Sequence, residues 1–93
     1  MSHSEKEQLL TKLEEAKKQV DIGGHYVHYK HQEAIYVVTG FGIDEDTEDV
    51  RVEYERIDEN PAIPWRRKLV GIDGWLTKVE VNGQLIPRFQ KVT

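Results

Sequence analysis

The hydrophobic period of this chain changes at a pair of glycines, Gly23 and Gly24, and that change limits the folds open to it. Before the pair, residues 4 to 20, "SEKEQLLTKLEEAKKQV", carry apolar residues at helical spacing: Leu9, Leu13, Ala16 and Val20 form one stripe, which Leu10 widens. Ser4 followed by Glu7 matches a capping box, and acids precede lysines in the order the helix dipole favours. The stripe must be covered, either by the chain's own sheet or by a second copy in a helix-to-helix dimer through Leu9, Leu13, Ala16 and Val20.

After the pair the period is two. "HYVHYKH" (25 to 31) alternates across a strand, Gln32 and Glu33 are placed at a tight turn, and "AIYVVTGFGI" (34 to 43) continues as the second arm of a hairpin. Gly40 and Gly42 fall on one face of that arm, where a bulge or close approach is expected. "VRVEYERI" sets Val50, Val52 and Tyr54 on one face and Arg51, Glu53 and Glu55 on the other. Pro61 and Pro64 mark a loop, and extended structure resumes in "WRRKLV" and "GWLTKVEV". Asn82 and Gly83 give a two-residue hairpin turn, and "QLIPRFQKV" closes the fold as one strand. The expected architecture is mainly β with one N-terminal helix: an amphipathic helix in residues 1 to 22, then a small, strongly bent antiparallel sheet or SH3-like open barrel in 23 to 93.

At 93 residues a single core is expected, and with no cysteine it rests on burial rather than disulfides. The first ten residues lack the apolar run and small-residue site of a signal peptide, and no segment approaches a membrane span, so a soluble cytoplasmic protein is expected. Net charge is -4, which opposes duplex nucleic-acid binding. The charge is uneven: nine of the 17 acids lie in residues 44 to 60, whereas "WRRK" (65 to 68) is a compact basic group that suits a local anion site.

The three histidines of "HYVHYKH" invite a metal reading. On one continuous strand, His25 and His31 would stand roughly 20 Å apart with His28 on the opposite face, which removes a shared ion. Asp44, Asp46, Glu48 and Glu55 mimic the spacing of a calcium loop, but Asp49 occupies the position that needs glycine, and strands flank it. Serines occur only at positions 2 and 4, and no phosphate-cradling loop appears, so catalysis is not expected, although His28 with a carboxylate is a physically admissible acid-base pair.

A binding face has better material. Tyr26, His28 and Lys30 offer a ring, a neutral-pH donor or acceptor, and a cation along the first strand; Trp65 and Arg67 share a face of a neighbouring segment, and Thr47 adds a hydroxyl. Arginine forks to phosphate and rings stack on bases, so these residues suit an anionic, ring-containing ligand. The same rings would equally serve as core.

"GHYVHYKHQEAIYVV", "DTEDVRVEY" and "WRRKLVGIDGWLTKVEVNGQLIPRF" together resemble the small bacterial and phage domains of unknown-function family sixteen-fifty-three, whose members look like G-x-Y-x-H-Y-K-G-x-x-Y-x-V, T-x-E-x-x-V-x-Y, W-x-R-P and P-R-F in that order. Gly24, Tyr26, His28, Tyr29, Lys30, Tyr36 and Val38 fit the first element, with an extra residue within 31 to 34. Thr47, Val52 and Tyr54 fit the second, where Asp49 replaces glutamate; Trp65 and Arg67 fit the third, where Lys68 replaces proline; Pro87, Arg88 and Phe89 fit the last. The resemblance implies a compact β-rich domain whose polar signature residues form a site, and implies no activity or cofactor. The expectation is a non-catalytic domain binding an anionic nucleotide or nucleotide-derived ligand through Tyr26, His28, Lys30, Thr47, Trp65 and Arg67. In a phage setting it would sequester a nucleotide signal. A homo-oligomerising interaction module using the helix and a sheet edge is the alternative, and single-stranded nucleic-acid binding a third.

Overall fold

A computed structural model describes residues 3 to 93, with side chains from Glu5 onward. One helix, α1 (His3–Gln19), precedes seven strands: β1 (His25–His28), β2 (His31–Ile43), β3 (Val50–Arg56), β4 (Trp65–Lys68), β5 (Val79–Val81), β6 (Gln84–Ile86) and β7 (Phe89–Lys91). Five strands form an antiparallel sheet in the order β4-β3-β2-β1-β7, and β5 pairs with β6 as a separate ribbon. The outer strands β4 and β7 do not pair, so the sheet is bent but is not a closed barrel.

The expected helix packs on its own sheet. Ala16 and Val20 are fully buried in the core and Leu13 rests against it, while Leu10 stays half exposed. The part of the stripe from Leu13 to Val20, weighed above as a dimer seam, is thus covered from within the chain. The capping box depends on Ser4, whose side chain lies outside the described residues. At the helix exit, Gly23 takes a positive φ of 84° and its N–H donates to the Val38 carbonyl at 2.7 Å, fastening the reversal to β2.

In β2 and β3, one extra residue reconciles an irregular sequence with a single apolar face. Val38 pairs with Tyr54 but Gly40 pairs with Glu53, so Thr39 is bulged out and its hydroxyl donates to the Glu53 carbonyl. The bulge reverses the alternation: Tyr36 and Val38 face inward before it, Phe41 and Ile43 after it, all against the inward Val50, Val52 and Tyr54. Gly40 and Gly42 are left on the outer face beside Glu53. Val38 and Val52 are wholly buried, each worth roughly 1.5–3 kcal/mol of transfer free energy.

Three local expectations are revised. The first hairpin turns at Tyr29 and Lys30, not Gln32 and Glu33, because His28 pairs with His31 while Val27 pairs with Ile35; residues 32 to 34 form an irregular excursion in β2. "QLIPRFQKV" is two strands rather than one: β6 pairs with β5, β7 pairs with β1, and Pro87 and Arg88 link them. Residues 75 to 78 are turn and loop rather than extended strand. The Asn82-Gly83 turn is as expected, with positive φ at both residues between Val81 and Gln84.

Candidate functional site

Where the sheet bends, its two outer strands approach through side chains. The Trp75 ring lies parallel to Phe89 of β7, with centroids 3.7 Å apart, and the edge of Tyr54 of β3 meets both. Arg67 of β4 completes the bridge, its guanidinium carbon 5.3 Å from the Phe89 ring centre. Above this aromatic floor opens a hollow of about 400 Å³, walled by Tyr29, Tyr36 and Tyr54 and carrying His28, Lys30, His31, Arg67, Asp73 and Arg88.

Each polar group is placed by a definable piece of backbone. The Tyr29-Lys30 turn is tied to the β6–β7 link, since the Tyr29 N–H donates to the Arg88 carbonyl at 3.0 Å. The Lys30 N–H donates to Nδ1 of His28 at 3.2 Å, which assigns the imidazole proton to Nε2 and makes that atom a donor. The His28 ring meets Phe89 edge-on at 5.0 Å and stacks against His31 at 5.7 Å. Burial, then the charges of Arg67, His31, Arg88 and Lys30, pushes the His28 pKa down to about 4 from its ordinary 6.5, so the ring is neutral at physiological pH.

Opposite, the loop between Leu69 and Trp75 is fixed at its base by N–H donations from Trp75 to Lys68 and from Leu76 to Leu69. Gly71 and Asp73 both adopt positive φ, and a Cβ on Gly74 would stand 2.6 Å from the Val70 backbone, so the loop demands glycine there. This turn aims Asp73 at both arginines. Its carbonyl accepts from Nη1 of Arg67 at 2.8 Å, and its carboxylate lies 3.5 Å from Nη2 of Arg88. Arg88 is held further by donating from Nε to the Thr77 carbonyl, and its side chain is only 11% exposed. Nε of Arg67 is buried and has no hydrogen-bond partner among the described residues.

The hollow therefore gathers His28, Lys30 and Arg67 from the residues singled out in the sequence, and leaves three others outside. Tyr26 is core: it is 6% exposed, edge-on to Trp75, and its hydroxyl accepts the Asp21 N–H. Trp65 shares the face of Arg67 but sits half exposed at the start of an outer strand. Thr47 belongs to the acidic turn, where its hydroxyl accepts the Asp49 N–H and the Asp44 carboxylate accepts the N–H groups of Asp46 and Thr47. The histidines are also not dispersed as a continuous strand would require, because the turn at Tyr29-Lys30 brings His31 across from His28. Among the described residues no group of three histidines or acids is placed to hold a metal ion.

A family model described as "Protein of unknown function (DUF1653)" matches residues 24–91. The chain belongs to that family. The DUF1653 span runs from the start of β1 into β7, takes in every residue lining the hollow, and leaves α1 outside. No curated protein and no solved structure matches the chain. Arg88, Tyr36, Tyr29, His31 and Asp73 are among the lining residues that sequence reasoning did not select. Arg88 and the two tyrosines stand in the quoted motifs, so order along the chain held the signal without showing what it converges on.

Proposed function

We propose that this DUF1653 domain binds a small anionic, ring-bearing ligand of the nucleotide class, without catalysis. The observation that carries the reading is the convergence of Arg67 and Arg88 in a ring-walled hollow whose only carboxylate, among the described residues, is Asp73. Lys30 adds a third cation, so the pocket is positive within a chain of net charge -4. Guanidinium groups recognise phosphate oxygens through directed, charge-assisted bonds, and the faces of the half-buried Tyr29 and Tyr36 suit a base or sugar. The volume suits a mononucleotide-sized molecule.

A binding role also fits the chemistry of the walls. No serine, threonine or cysteine lines the hollow among the described residues, and His28 spends Nδ1 on the Lys30 N–H while holding little affinity for a proton. It serves better as a fixed Nε2–H donor than as a base. The test is a thermal-shift series with AMP, cyclic nucleotides, sugar phosphates and adenosine. A ligand at a hundred times its Kd stabilises the fold by about 2.7 kcal/mol, a readily measured shift for a chain of this size. Phosphate-bearing compounds should raise the Tm and adenosine should do little; a series with no shift at all would remove the reading.

A further inference from the structure

Asp73 answers both arginines, and it does so with different atoms. Its backbone carbonyl takes Nη1 of Arg67 at 2.8 Å, and its carboxylate stands at 3.5 Å from Nη2 of Arg88, too long for a strong bond. The carboxylate is also 76% exposed, whereas the arginine it faces is largely buried. Such a contact is weakly held on the acid's side and easily exchanged. The residue reaches this position only through a left-handed backbone, φ 59°, in a loop opened by Gly71 at φ 94°. Meanwhile Nε of Arg67 is shut from solvent without a partner among the described residues, so the donors of the pair are incompletely used.

We infer that the Asp73 carboxylate is an internal placeholder for the ligand's phosphate group, which displaces it from Arg88 and shares the guanidinium of Arg67. The inference rests on the reading of the hollow as an anion-binding site and adds a regulatory residue to it. Two consequences follow from the charges. The carboxylate competes with the phosphate for one guanidinium, and it repels a dianion at the mouth, so Asp73 sets the affinity below what the arginines alone would give. Selectivity follows too: a neutral nucleoside has nothing to exchange for the carboxylate.

Calorimetric titration of the full chain with inorganic phosphate, adenosine and AMP, alongside Asp73→Asn and Asp73→Gly, tests this. Both substitutions tolerate positive φ, so the loop keeps its path. Each variant should bind AMP about threefold to tenfold more tightly than the parent, with the gain shrinking at high salt and absent for adenosine. Inorganic phosphate should show the same direction at lower affinity, which assigns the effect to the phosphate rather than the base. AMP binding that is unchanged or weakened in both variants would overturn the placeholder while leaving the anion site standing. Absence of AMP and phosphate binding by all three proteins would remove the site itself, and the placeholder with it.

Discussion

The two faces of the sheet hold arginine in opposite ways. On the outer face each arginine meets a carboxylate directly: Arg66 donates to Glu53 at 2.9 Å and Arg51 to Asp44 at 3.0 Å. On the inner face Arg67 lies against the Phe89 ring and donates to the Asp73 carbonyl, while Arg88 donates to the Thr77 carbonyl and has one carboxylate, that of Asp73, at 3.5 Å. The outer pairs are the ordinary furnishing of a polar surface and contribute little, whereas partly buried cations with too little counter-charge cost stability. Under the proposed function, the ligand's anionic group supplies the missing charge. Nothing in the local sequence separates the classes, since Arg66 and Arg67 are adjacent; strand alternation alone sends one outward and the other in.

The largest expected effect comes from Arg67→Met, which keeps much of the apolar stem and removes the charge. AMP affinity should fall by about 30-fold to 100-fold, the scale of a lost charge-assisted contact. Stability should hold or rise, because the unpaired Nε is removed as well. A variant that binds AMP as the parent does would end the assignment of Arg67, and a large drop in Tm would recast it as structural.

The next prediction uses protons to read the same asymmetry. The unfolded chain protonates His28 near 6.5, whereas the folded chain resists until about 4, so the unfolded state binds more protons in that window. The stabilising contribution of a neutral His28 is therefore complete above about pH 6.5 and is lost as pH falls towards 4. Imidazole NMR should show His28 still neutral at pH 5.5, Arg67→Met should raise its midpoint, and bound phosphate should raise it further by offsetting Arg67 and Arg88. A midpoint near 6.5 in the free protein would mean that the ring is neither buried nor surrounded by cations.

Much of the fold was legible because it is written in local alternation. Val50, Val52 and Tyr54 face inward as spaced, Asn82-Gly83 turns the ribbon, and the glycines of β2 accompany a bulge. The first turn was not legible, because Tyr29 and Lys30 carry no turn chemistry. Their position is set from a distance, by the Tyr29 N–H on the Arg88 carbonyl and by pairing of His28 with Phe89. The same long-range closure assembled the site. Alternation on one strand could group Tyr26 with His28, but only the bend decides that Tyr26 meets Trp75 in the core while His28 lines the hollow with Arg88, 60 positions later.

The smallest expected effect lies on the outer face, where its smallness is the point. Arg66 is 70% exposed and Glu53 holds it at 2.9 Å, a well-formed pair by distance. Glu53→Gln and Arg66→Gln should each change unfolding free energy by about 0.5 kcal/mol or less, with a coupling of roughly 0.2–1 kcal/mol in the double-mutant cycle. AMP affinity should stay within about twofold of the parent in all three variants, since the pair lies across the sheet from the hollow and screening weakens its reach. A coupling of several kcal/mol, or a loss of AMP binding comparable to that of Arg67→Met, would erase the distinction between the faces, because distance to a carboxylate would then no longer separate a furnished surface from a site.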